Sequence, residues 1–164
     1  MTLTTHAIVG AAIASVMPAY PALAIAAAFA SHFLLDAIPH WDYPISSDSV
    51  NPKVAAAMKY DRALLVDMLK IGTDAMLGMV LALLLLAKPS NFALVFGGAA
   101  AALLPDALQF AYMRLPREPL ISLQRFHGWI HASRNLHSRP ILGLSTQIGL
   151  ILFVLLVARL VASS

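Results

Sequence analysis

The run Met76-Leu77-Gly78-Met79-Val80-Leu81-Ala82-Leu83-Leu84-Leu85-Leu86-Ala87 is apolar throughout and ends a longer stretch, residues 54–88, whose first half is amphipathic. The spacing predicts one long helix whose second half belongs in hydrocarbon. Working outward, comparable apolar segments recur at residues 5–17, 22–38, 92–113 and 141–161. A bilayer core asks for roughly 20 residues. The first two segments are therefore short, and the turn signal Pro18-Ala19-Tyr20-Pro21 between them suggests a tilted or re-entrant hairpin. Residues 39–53 read as a polar loop, Lys88-Pro89-Ser90-Asn91 as a break, and residues 114–140 as a basic connection holding an amphipathic helix at 120–135. The expected fold is all-α: a polytopic integral membrane protein of about five transmembrane or re-entrant helices plus one interfacial helix, as a single membrane-embedded domain over residues 1–164.

Composition supports this. Hydrophobic residues make up 60% of the 164 and charged residues 12%, against roughly 25% charged in an average soluble domain. There is no cysteine, which excludes disulfides, thiolate ligands and cysteine nucleophiles, so any metal site must use His, Asp and Glu. The net charge of +3 is read as contact with anionic lipid and as a topology signal, with no nucleic-acid partner predicted. Residues 2–28 have no Lys or Arg before the apolar run and contain His6, so the first segment is expected to be retained and not cleaved as a signal peptide.

If the five segments alternate, one side receives the N-terminus, residues 39–61 and residues 114–140. That side, or the helix half nearest it, carries Lys53, Lys59, Arg62, Lys70, Arg114, Arg117, Arg125, Arg134 and Arg139, while the other has only Lys88 and Arg159. The bias places this face in the cytoplasm and the C-terminus outside, in a cell inner (plasma) membrane. All the histidines and carboxylates gather on the same side. Positive-inside bias does not explain them, whereas a polar site opening there does.

The densest cluster is Ser31-His32-Phe33-Leu34-Leu35-Asp36-Ala37-Ile38-Pro39-His40-Trp41-Asp42. On a helix, His32 and Asp36 lie one turn apart on one face, a separation that lets both reach one ion. Pro39 is expected to end that helix at Ile38 and leave His40 and Asp42 on a loop that can bend back. Asp67 and Asp74 share a face of the long helix, and Asp106 follows Pro105 inside the fourth span. An acid at mid-membrane costs about 2.5–3.5 kcal/mol on translocon scales, so each needs a partner. Asp74 is open to two readings: a metal or catalytic group, or one rung of an Asp67-Lys70-Asp74 ion-pair ladder. Asp106 is favoured as a ligand or catalytic group because Pro105 frees a backbone carbonyl and re-aims the chain. His127 and His131 repeat the four-residue spacing on the interfacial helix, His6 opens the first segment, and His137 is read as a loop or phosphate-contacting residue.

Thr5-His6, Leu104-Pro105-Asp106 and the His127 to His131 element together resemble the membrane-bound metal-dependent hydrolase family, small proteins of several spans first noted as LexA-regulated inner-membrane proteins. The run His32-Phe33-Leu34-Leu35-Asp36, then Pro39-His40, is similar to the HFxxDxxxPxH motif of zinc-dependent phospholipase C and P1-type nucleases. It has one residue fewer before the proline, with the histidine directly after it. The chain also lacks the N-terminal Trp of those enzymes and has His131 where their late pair is His and Glu. This resemblance implies His32, Asp36 and His40 as ligands, with Asp36 able to bridge two ions.

The expected activity is that of a metal-dependent hydrolase at the cytoplasmic face. Its metal ligands would come from His6, His32, Asp36, His40, Asp42, Asp74, Asp106, His127 and His131, with Asp36 and Asp106 catalytic. A divalent ion lowers the pKa of bound water toward about 7 and polarises an ester oxygen. Zinc suits the histidine-rich set best, and manganese or iron also fit. Arg125, Arg134 and Arg139 could hold a phosphate or, equally, only touch lipid headgroups. A site at headgroup depth suggests a lipid or membrane-associated phosphoester as substrate. Two other classes stay open: a metal or proton transporter, and a non-catalytic membrane protein with a structural metal site.

Overall fold

The computed structural model describes residues 1–47, 60–131, 136 and 138–163. The described residues form helices α1 (Leu3–Ser15), α2 (Pro21–Asp36), α3 (Arg62–Leu86), α4 (Phe92–Arg114), α5 (Leu120–Ile130) and α6 (Pro140–Ser163), and no strand occurs among them. Three helices, α3, α4 and α6, are long and apolar enough to cross a membrane. The two short apolar helices, 13 and 16 residues long, rise only about 20 and 24 Å against about 30 Å of hydrocarbon. The five segments read from hydropathy are therefore three full-length helices and two short ones. Large apolar side chains such as Met76, Leu84, Leu152 and Phe153 stand outward on α3 and α6, as a lipid environment allows.

The short α1 lies at the centre, packed against α2, α3, α4 and α6. Protein surrounds it, so its length need not match the bilayer. Its composition permits this: Ala7, Ile8 and Ala11 form a core with Ala82 of α3 and Val95 and Ala99 of α4. Gly10 and Gly98 bring α1 and α4 together, since a Cβ on Gly10 would stand 2.5 Å from both the Ala102 Cβ and the Gly98 carbonyl oxygen. Small residues allow this approach of backbones in membrane bundles.

Two acids of α3 fasten neighbouring segments. Asp74 accepts from the Leu3 and Thr4 amides at 2.7 and 3.1 Å and from the Thr4 hydroxyl at 2.6 Å. It thus satisfies N–H groups that the first turn of α1 cannot pair internally. Gly78, one turn further along α3, makes room, because a Cβ there would meet the Thr4 Cα at 2.6 Å. Asp67, fully buried, accepts from the Ser46 and Ser47 amides at 2.8 and 2.7 Å and from Lys70 Nζ at 3.0 Å. Lys70 also donates to the Pro44 carbonyl. Only the Asp67-Lys70 half of the expected ladder forms, because Asp74 is turned to α1.

Three boundaries differ from expectation. Asp61 caps α3 by accepting from the Leu64 amide at 2.9 Å, so this helix begins at Arg62; residues 54–59 lie outside the described residues. α2 stops at Asp36, two residues early, with Ala37 as its cap. α5 stops at Ile130, with His131 leaving the helix in an extended conformation. Residues 132–135, with Arg134, lie outside the described residues, as do Asp48, Lys53, Lys59 and His137.

Gly10→Val is expected to cost about 1–3 kcal/mol by overpacking, whereas Gly149→Ala, where a Cβ meets nothing within 4 Å, should be neutral. Asp74→Ala should cost about 0.5–2 kcal/mol through the lost cap. Thermal unfolding in detergent, followed by helical circular dichroism, checks all three.

Candidate metal centre

The site forms where the end of α2, the middle of α4, the inner face of α5 and the loop after α2 converge on the carboxylate of Asp36. This side chain is 2% exposed. Helical spacing sets His32 on the same face of α2, its Nε2 3.2 Å from Asp36 Oδ2. From α5, whose one buried residue is His127, the Nε2 of that residue reaches the same oxygen at 3.1 Å and stands 3.3 Å from His32 Nε2. From α4, Asp106 Oδ1 lies 3.6 Å from His32 Nε2. The four ligand atoms of His32, Asp36, Asp106 and His127 all lie within 4.8 Å of one another.

These spacings suit a cation. A tetrahedral ion with arms of about 2.0–2.1 Å holds its ligand atoms about 3.3–3.4 Å apart. The tautomer of His32 points the same way: Nδ1 lies 2.8 Å from the Ala102 carbonyl, and since a carbonyl only accepts, Nδ1 carries the hydrogen. Nε2 is then left facing the carboxylate with a proton or a cation between them. Pro105 lies inside α4 and offers no N–H to the carbonyl of Ala101, so the helix is loosened beside the carbonyl that His32 uses. The cluster could hold a metal ion.

A second group shares Asp36. His40 Nε2 and His131 Nε2 each stand 4.0 Å from an Asp36 oxygen, the first from Oδ1 and the second from Oδ2. Their rings are 5.0 Å apart, and Asp36, His40 and His131 form a separate potential metal-binding set. His40 repeats the orientation of His32: Nδ1 donates to the Ile38 carbonyl at 2.6 Å, and Nε2 faces Asp42 Oδ2 at 2.9 Å. Asp42 Oδ1 also lies 3.0 Å from the Met1 amino nitrogen, which in turn is 2.8 Å from Asp36 Oδ1. Burial pushes the Asp42 carboxyl up, but the His40 hydrogen bond and the Met1 amino charge outweigh it and hold the group below the usual carboxylate range. On the same loop, burial first and then the carboxylates of Asp74, Asp106 and Asp42 push the Tyr43 phenol up, so it stays a neutral donor.

The remaining candidates fall in different places. His6 touches the site through Nε2, 3.1 Å from Asp36 Oδ1, and stacks on His32 at 4.0 Å. Its Nδ1 is buried without a partner, and it lies in neither potential ligand set. Asp74, expected as a ligand, is instead occupied with the start of α1. Arg125 and Arg139 are exposed; Arg139 lies near the site through Leu136, whose amide donates to the His40 carbonyl at 2.9 Å. Arg134 is outside the described residues. Gln147, which α6 buries beside Thr2, Thr5 and Trp41, belongs to no sequence motif; its one signal is an amide in a mostly apolar helix. Comparison with protein-family models, curated proteins and solved structures finds no match to this chain.

Exposure is uneven across the site. His32, Asp36 and His127 are buried, whereas Asp106 is 36% and His131 37% exposed. Zinc titration of the purified protein should show binding that Asp36→Asn abolishes and that Asp74→Asn leaves intact. Equal zinc binding by wild type and Asp36→Asn would remove Asp36 from its central place.

Proposed function

We propose that this protein is an integral membrane metal-dependent hydrolase acting on the phosphoester of a lipid or membrane-associated substrate. The observation that carries the reading is the convergence of ligand atoms from His32, Asp36, Asp106 and His127 to within 4.8 Å of one another, the first two and His127 buried and Asp106 partly exposed. A purely structural metal site is closed on all sides. The resemblance of the His32 to His40 run to zinc-dependent phospholipase C, and of the sparse motifs to the membrane-bound hydrolases, favours the same chemistry.

Zinc suits the ligand set best, with manganese and iron as further candidates. His32, Asp36, Asp106 and His127 would hold one ion, and Asp36, His40 and His131 a second. Such ions supply Lewis acidity and an acidified water. The chain's own groups do the rest. The Nδ1 hydrogen bonds of His32 and His40 fix both rings, and His6 holds Asp36 Oδ1 in place. Asp106, partly exposed, can take a proton at the oxygen turned away from His32. Arg125, two residues before His127 on α5, and Arg139 are exposed and can hold the phosphate by paired guanidinium contacts.

The amphipathic α5 presents Phe126 and Trp129 outward, the latter 78% exposed, which suits the headgroup layer. The excess of arginine and lysine on the side of the site argues for the cytoplasmic leaflet of an inner membrane, with the N-terminus inside and the C-terminus outside.

Purified protein in detergent should cleave phosphodiester or phosphomonoester substrates only with divalent metal. Chelation and Asp36→Asn should abolish activity, and Asp106→Asn should lower kcat by about 10²–10⁴-fold if the carboxylate moves the proton. Metal uptake into vesicles that persists in Asp36→Asn, with no ester cleavage by wild type, would overturn the hydrolase reading in favour of transport.

A further inference from the structure

Among the described residues of α6, Gln147 is a polar side chain in a strongly apolar helix, yet it is 3% exposed. Its Oε1 accepts from the Thr2 amide at 3.1 Å, the Thr2 hydroxyl at 2.8 Å and the Thr5 hydroxyl at 3.1 Å. Its Nε2 donates to the Trp41 carbonyl at 2.8 Å and to the Gly143 carbonyl at 3.3 Å. Both ends of the amide are therefore used, as burial away from water demands.

The partners are not arbitrary. Thr5 precedes His6, and Trp41 stands between His40 and Asp42. Gly143, one turn before Gln147, completes the seat: a Cβ there would collide with the Trp41 Cβ and backbone. The Leu136 amide holds the His40 carbonyl from the other side. Gln147 and Gly143 thus form a platform on α6 that receives the turn between two candidate ligands.

We infer that Gln147 is a positioning residue for the second metal position, acting through Trp41 to set His40 against Asp36. The inference rests on the metal reading above. Outer residues that orient ligands set metal affinity almost as strongly as the ligands do, typically by 10–100-fold. The two ends of the amide are separable by chemistry. Gln147→Glu keeps an oxygen for Thr2 and Thr5 but loses the donor to Trp41. Gly143→Ala displaces the same turn without touching the amide.

The test is zinc titration in detergent of wild type, His40→Ala, Gln147→Glu, Gly143→Ala and the two double variants with His40→Ala. Thermal unfolding without zinc reports on folding. Gln147→Glu and Gly143→Ala should each weaken zinc binding by about 10–100-fold, and neither should add to the loss already caused by His40→Ala. Should Gln147→Glu fail to fold, Gly143→Ala carries the same comparison. A zinc-binding wild type with unchanged affinity in the two variants, or losses that multiply with His40→Ala, overturns the positioning role alone. So does a zinc affinity indifferent to His40→Ala, which leaves Gln147 nothing to act through. A folded wild type that takes no zinc overturns the metal reading and this role together.

Discussion

A carboxylate buried at the end of an apolar helix must be compensated, and in this protein the compensation of Asp36 organises everything around it. Its two oxygens face His6 of α1, His32 of its own helix, His127 of α5 and, more distantly, His40 of the following loop and His131. The cost of isolating such a charge is several kcal/mol, so elements that bring positive or metal-coordinating groups to it are held there by electrostatics. α5 shows this most plainly. It is amphipathic and buries one residue, and that residue is His127.

The bundle is arranged so that this convergence is possible. Placing the short α1 at the centre, wrapped by α2, α3, α4 and α6, delivers His6 to the interior. The polar groups that α1 exposes at its start are met by Asp74 of α3 and Gln147 of α6. Glycines at 10, 78, 98 and 143 mark the close approaches. Asp67 and Lys70 pin the distal part of the loop that carries His40 and Asp42. Acids in the spans thus divide into two kinds. Asp67 and Asp74 saturate backbone N–H groups, whereas Asp36 and Asp106 face imidazoles and each other. The first kind builds the scaffold and the second belongs to the group that could hold a metal ion.

The sequence carried much of this on its own. A 60% apolar composition and long uncharged runs determine helices suited to a membrane, because unsatisfied backbone is intolerable in hydrocarbon. The four-residue spacing of His32 and Asp36 determines their common face, since helix periodicity is local. The absence of cysteine restricts any metal to nitrogen and oxygen ligands. What the sequence left open was decided by packing over long separations. Asp74 and Asp106 look alike as acids within apolar helices, and only the position of α1 makes one a helix cap while the Pro105 region of α4 brings the other to His32. Gln147 has no motif at all, and its meaning comes from Thr2 and Trp41, which lie more than a hundred residues away. Local spacing fixes which side chains leave a helix together; which distant groups they meet depends on how the helices pack.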